Sequence, residues 1–149
     1  MFDYKDTIAI ACDHAGFELK EFLKKKLVKD GYKFEDFGAF TDDPVDYPDE
    51  IHPLARKIND GIFKIGIVIC GSGNGVAMTA NKYRNVRAAI CWNKEISKLA
   101  RQHNNANVIA LPARFISMDE ALKITRIFLM TGFEGGRHQR RVDKISSIL

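Results

Sequence analysis

Cysteine is scarce in this chain, at three of 149 residues, and none is set in C-x-x-C or zinc-ribbon spacing. That excludes a disulfide-stapled scaffold and a cysteine-rich zinc module. Four prolines and one tryptophan leave no proline-rich linker or low-complexity tract. No apolar run approaches the roughly 20 residues of a membrane-crossing helix, and early acids interrupt any signal-peptide core. The four histidines, His14, His52, His103 and His138, are scattered without H-x-x-x-H or H-E-x-x-H spacing, so neither metal nor cofactor is expected. Neither charge sign dominates: 23 basic and 19 acidic residues leave a net +4. With no base-contacting module and no aromatic-interleaved basic stripe, nucleic acid is not an expected partner, and neither is a membrane.

What is present is ordinary globular composition, 46% hydrophobic and 28% charged, fitting one domain over residues 1–149. Cys12, Cys70 and Cys91 each end an apolar run, as reduced thiols of a cytoplasmic protein would. Strand and helix patterns alternate. Strands are expected at Thr7–Cys12, Lys33–Phe37, a run ending at Cys70, Arg87–Cys91 and Ala106–Leu111. Helices are expected at Gly16–Asp30, about Glu50–Asp60, about Gly75–Tyr83, Lys94–Gln102, Asp119–Met130 capped by Ser117, and His138–Ile148. Lys20, Lys24, Lys25, Lys26 and Lys29 fall on the first helix as a solvated face. The alternation implies an α/β fold, a three-layer, doubly wound, Rossmann-like arrangement with a five-stranded parallel sheet. Ligands of such folds lie beyond the carboxyl ends of the strands, where Asp13, Cys70 and the loop after the fifth strand gather.

The stretch Ile65–Val76 carries the most chemistry. A continuous apolar run suits a strand buried on both faces, and it ends in Cys70-Gly71-Ser72-Gly73-Asn74-Gly75. Backbone N–H groups of such a loop converge on an anion, and the same environment activates a thiol. Val76 stands where a dinucleotide fingerprint needs glycine, and no Walker lysine follows. A purely structural turn remains the other reading of the loop. Asp13-His14 after the first strand either positions a substrate hydroxyl or phosphate, or caps a helix beside a surface histidine. His103 joins two parallel strands and is expected to reach the same sheet edge. Arg137 and Arg141, at i and i+4 behind Gly135-Gly136, present two guanidinium groups on one face, suited to phosphate or to solvent.

Cys-Asp-His-Ala-Gly at 12–16, Asp-Tyr-Pro at 46–48, Cys-Gly-Ser-Gly-Asn-Gly at 70–75, Ala-Asn-Lys at 80–82, Arg-Gln-His-Asn at 101–104 and Gly-Gly-Arg-His-Gln-Arg-Arg at 135–141 occur together. As a set they closely resemble the type B ribose-5-phosphate isomerases, in the family shared with galactose-6-phosphate isomerase. The resemblance spans essentially the whole chain. It implies that Cys70 is the base moving a proton between sugar carbons, that Ser72 supports the thiol, and that Gly71, Ser72, Gly73, Asn74 and Gly75 meet the enediolate. It further implies that His103 opens the furanose ring, that Asp13 and Asn104 contact sugar hydroxyls, and that Tyr47 lines the pocket. His14, Arg114, Arg137 and Arg141 match phosphate-binding positions. The implied activity is metal-independent interconversion of ribose 5-phosphate and ribulose 5-phosphate by a homodimer, sometimes a tetramer, with sites shared between subunits. A hexose 6-phosphate such as allose or galactose 6-phosphate is the alternative substrate; a non-catalytic flavodoxin-like nucleotide-binding module is the distant one.

Overall fold

The computed structural model describes residues 6–147. Five parallel strands, β1 (Thr7–Cys12), β2 (Lys33–Asp36), β3 (Gly66–Cys70), β4 (Ala88–Ile90) and β5 (Val108–Pro112), form one sheet in the order β2-β1-β3-β5-β4. Between and after them run α1 (Phe17–Lys29), α2 (Tyr47–Asn59), α3 (Asn74–Ala80), α4 (Lys94–Gln102), α5 (Met118–Met130) and α6 (Arg137–Asp143). The expected doubly wound α/β class is therefore the observed one.

Handedness explains the layers. A right-handed crossover places its helix on one face when the chain steps one way along the sheet and on the other face when it steps back. The steps β1 to β2 and β4 to β5 run in one direction, and α1 and α4 share a face with α5. The steps β2 to β3 and β3 to β4 run the other way, and α2 and α3 share the opposite face. Two apolar cores record this division. Ile8, Ile10, Ile67, Ile69 and Ile109 pack with Leu23, Leu27 and Phe128. The intervening Ala9, Ala11, Val68 and Ala110 pack with Ile51, Leu54 and Val76. Side chains alternate across each strand, so a strand covered on both faces must be apolar at every position. All five residues of β3 are buried, whereas β2, at the edge, alternates exposed and half-buried.

Most element boundaries fall within a few residues of those expected from sequence. Ser117 caps α5 and Glu120 returns the bond to the Ser117 N–H, a capping box. Gly31, at φ +96°, ends α1: its N–H reaches the Val28 carbonyl and the Tyr32 N–H reaches that of Leu27. α2 begins earlier than expected, at Tyr47, with Pro48 in its first turn, where a missing N–H costs nothing. β5 starts at Val108 because the Ala106 N–H bonds to Ala100 in the preceding helix rather than to a strand. The last helix runs over Arg137–Asp143 and passes into turns; Ile148 lies outside the described residues.

One correction concerns α1. Lys20 is not on a solvated face: it is fully buried, with Nζ 2.7 Å from Asp36 Oδ1 and 2.6 Å from the Ala39 carbonyl oxygen. Lys24 donates to the other Asp36 oxygen at 2.6 Å. Burial on its own would raise the Asp36 carboxyl; bonds from Lys20, Lys24 and the Gly38 N–H overcome this and hold it below the ordinary carboxylate value. The pair anchors the chain leaving β2, which goes on to deliver Tyr47. Removing one partner leaves the other charge in a low-dielectric setting. Lys20→Met is therefore expected to cost about 3–5 kcal/mol, read from the urea unfolding midpoint. A midpoint equal to wild type contradicts this role.

Candidate active site

Successive crossovers leave β1 in one direction and enter β3 in the other, so a crevice opens beyond the carboxyl ends of these two strands. Cys70 ends β3 in this crevice, and Asp13 follows β1 beside it, its N–H bonded to the Ile69 carbonyl at 3.1 Å. The turn after Cys70 favours glycine at position 73, where φ is +76°, a conformation that side-chain-bearing residues rarely adopt. Its N–H then donates to Cys70 Sγ at 3.2 Å, and the Asn74 N–H donates to Ser72 Oγ at 3.3 Å. The loop beyond β5 is tied to this turn by two backbone bonds, Ala113 N–H to Cys70 O at 2.9 Å and Arg114 N–H to Gly71 O at 3.0 Å. These bring the Arg114 side chain over Gly71. The Tyr47 ring lies directly on Gly75, where a Cβ would come within 2.6 Å of it.

Together these residues line an open cavity of about 610 Å³, with Asp13, Tyr47, Cys70, Ser72, Asn74 and Arg114 on its walls. Met78 and Phe115 complete the lining, and nothing in the sequence pattern distinguished them. The capping reading of Asp13 holds, since its Oδ1 accepts from the Gly16 N–H at 3.1 Å and closes a short 3₁₀ turn; the residue also lines the cavity. His14 lies at the same edge, its Nδ1 accepting from the Val45 N–H at 3.3 Å. A thiol, a carboxylate, a phenol, a hydroxyl and a guanidinium converge here. They suit a small polyhydroxylated anion.

The three thiols differ in setting. Burial pushes Cys12 up to about 12 despite the nearby Lys20, and burial does the same to Cys91, also to about 12, despite the neighbouring Ser97 hydroxyl. Both are packed in the core. Cys70 is also buried, at 5% exposure against the second core, but it lines the cavity.

His103, Asn104, Arg137 and Arg141 do not join this group. His103 caps the carboxyl end of α4, and a helix between parallel strands runs back to the edge where the next strand begins. The neighbours confirm the placement. Arg101 Nη1 bonds to the Ala106 carbonyl just before β5, and Arg87 Nε, just before β4, donates to Asn105 O at 2.9 Å. Asn104 lines a separate cavity with Asn81, Tyr83 and Arg87. The Glu134 N–H reaches Gln102 O at 3.1 Å and carries α6, with exposed Arg137 and Arg141, to the same amino edge. The expectation that His103 reaches the edge of Cys70 within one chain is thus overturned: strand ends and helix ends lie on opposite edges of a parallel sheet.

Two residues that sequence reasoning passed over stand beside His103. Its ring stacks on that of His138, centroids 4.2 Å apart and planes 7° from parallel. Glu134 Oε2 lies 3.9 Å from His103 Nε2 and 3.8 Å from His138 Nε2. Burial holds His138 below the ordinary histidine range, helped by His103, Arg137 and Arg141 and opposed by Glu134. The i,i+4 spacing of Glu134 and His138 was the one signal of their proximity.

Fold and pocket define a doubly wound α/β protein with a small-molecule site at the reversal of its strand order. The sequence matches the Ribose/Galactose Isomerase family over residues 8–145. It is 45% identical over 141 residues to the probable ribose-5-phosphate isomerase B of Mycoplasma genitalium, covering 93% of each chain. The structure of a ribose 5-phosphate isomerase from Thermotoga maritima superposes with a TM-score of 0.94 at 44% identity, covering 97% of this chain and 99% of that one. Ribose-5-phosphate isomerase B from Mycoplasma genitalium, solved with bound ribulose-5-phosphate, superposes with a TM-score of 0.89 at 44% identity over 93% of each chain. The chain belongs to the ribose/galactose isomerase family.

The contrast among thiols is directly testable. Alkylation of the folded protein with iodoacetamide at mildly alkaline pH is expected to modify Cys70 and leave Cys12 and Cys91 unmodified until denaturant is added, as read by peptide mass spectrometry. Equal labelling of all three contradicts the contrast.

Proposed function

We propose that this chain interconverts ribose 5-phosphate and ribulose 5-phosphate through an enediolate. The observation that carries the reading is Cys70 at the head of a glycine turn, with Asp13 and Arg114 in one cavity at the reversal of strand order. The bound ribulose-5-phosphate of the Mycoplasma genitalium relative supports the substrate class. The C–H proton beside a carbonyl is weakly acidic, so the reaction needs a positioned base and fixed donors for the charge that develops. Cys70 takes the proton from C2 of the opened aldose and returns it to C1, while the hydroxyl proton passes from O2 to O1 by way of solvent. N–H groups of the Gly71–Gly75 turn meet the enediolate oxygens, and Ser72 supports the sulfur. Asp13 engages sugar hydroxyls, and Tyr47 closes one wall. No metal enters this scheme.

His103 acts on the closed sugar, protonating the ring oxygen as the furanose opens while the anomeric hydroxyl gives its proton to solvent, and Asn104 contacts a hydroxyl. His14 and Arg114 hold the phosphate from the carboxyl edge, and Arg137 and Arg141 hold it from the amino edge. These two groups serve one substrate when the amino edge of a second copy covers the carboxyl edge of the first. The working unit in this reading is a homodimer with two shared sites, in the cytoplasm. The exposed Phe40, Met78, Trp92 and Phe115 around the carboxyl edge fit a covered surface. Binding the phosphate away from the reacting carbons orients the sugar and contributes to the rate.

Replacing the base removes proton transfer while leaving phosphate binding in place. Cys70→Ala is expected to lower kcat on ribose 5-phosphate by about 10²–10⁴-fold with a KM near that of wild type. Turnover at the wild-type rate would falsify the assignment.

A further inference from the structure

His103, Glu134 and His138 are brought together by the fold from two distant segments. One ligand atom from each lies within 4.8 Å of the others. The backbone holds this frame. The Glu134 N–H is bonded to Gln102 O at 3.1 Å, one residue before His103, and the His138 N–H is bonded to Gly135 O at 3.0 Å as α6 begins. Glu134 therefore stands across the edges of both imidazoles. In the proposed isomerisation, neither Glu134 nor His138 has a role.

Two imidazole nitrogens and one carboxylate oxygen, with solvent on the open side, are the donor set of zinc and neighbouring transition metals. Calcium and magnesium call for oxygen throughout. Metal–nitrogen bonds of about 2.0–2.1 Å in a tetrahedron separate ligand atoms by roughly 3.3 Å. The contacts of 3.9 and 3.8 Å therefore need to shorten by about half an ångström, and the imidazole nitrogens, within 4.8 Å of each other, by up to about 1.5 Å. Exposure decides which groups move. In the single chain the His103 and Glu134 side chains are 38% and 49% exposed and can swing, while that of His138, at 8%, stays as the fixed ligand. The stacked rings must splay for both lone pairs to meet on one ion, and the His103 ring has the room to do so. Arg137 and Arg141 oppose a cation here; in the single chain both are exposed and solvent screens them.

We infer that His103, Glu134 and His138 form a binding site for a divalent transition metal of the zinc class, with solvent in the fourth position, and that the bound ion inhibits the enzyme by engaging the imidazole that opens the sugar ring. The site itself stands apart from the proposed activity; the inhibition rests on it.

Titrating the metal-stripped protein with Co²⁺ tests the site without reference to turnover, because the d–d absorption reports tetrahedral coordination. One ion per chain is expected, displaced by Zn²⁺. Glu134→Gln, at an exposed position, and His138→Gln should each weaken binding by at least the roughly 10- to 100-fold that changes around metal ligands bring. Absence of the tetrahedral band, or binding unchanged in both variants, overturns the site. In assays on ribose 5-phosphate, Zn²⁺ should inhibit wild type, a chelator should restore it, and Glu134→Gln should be insensitive. Inhibition that persists in Glu134→Gln would put the ion at the Cys70 thiol and overturn the proposal. Stoichiometric binding with undiminished turnover would leave the site standing and overturn the inhibition, and with it the ring-opening role of His103.

Discussion

The direction of a parallel sheet governs everything else in this molecule. Each strand ends on one edge, and each intervening helix returns the chain to the other. Residues that follow strands and residues that follow helices are therefore separated by the length of the strands. Cys70, Asp13 and Arg114 follow strands, and His103 and Asn104 follow a helix. No loop rearrangement short of unpicking the sheet brings them together in one chain. In the proposed reading, sugar-phosphate chemistry that uses both groups draws them from two copies of the chain, the carboxyl edge of each meeting the amino edge of the other in a self-complementary pair.

Within each edge, packing supplies the positional accuracy. β3 is buried along its whole length between two apolar cores, so Cys70 emerges from a rigid element rather than from a loop. Backbone bonds from Ala113 and Arg114 fasten the next strand's loop to the glycine turn. The buried Lys20–Asp36 pair then fixes the path after β2 that leads to Tyr47. Charge is used sparingly in the interior. Where it occurs, it holds the backbone that carries a site residue.

Periodicity and turn chemistry in the sequence were enough for the fold class, the five strands and the capping of α5 by Ser117, because these are local properties. The unbroken Ile65–Cys70 run could be read as a strand covered on both faces, and it is one. The carboxyl-edge group was readable for the same reason: every member but Tyr47 follows a strand directly or within a few residues. Lys20 was not, since its spacing matches an outward lysine stripe and only the path of Ala39 and Asp36 reveals its partners. The edge on which His103 lies follows from topology, and the sequence motif around it carries no direction. The meeting of His103 with Glu134 and His138 depends on where α6 folds back, which no spacing rule encodes.

Mixing two inactive variants tests the division of labour between edges most directly. Cys70→Ala and His103→Gln would be co-expressed so that subunits assort at random, and turnover of ribose 5-phosphate would be compared with each variant alone. A shared site predicts recovery to about a quarter of wild-type activity, because half of the dimers are mixed and each of these holds one intact site. Activity no higher than that of the separate variants would contradict a site assembled from opposite edges of two chains.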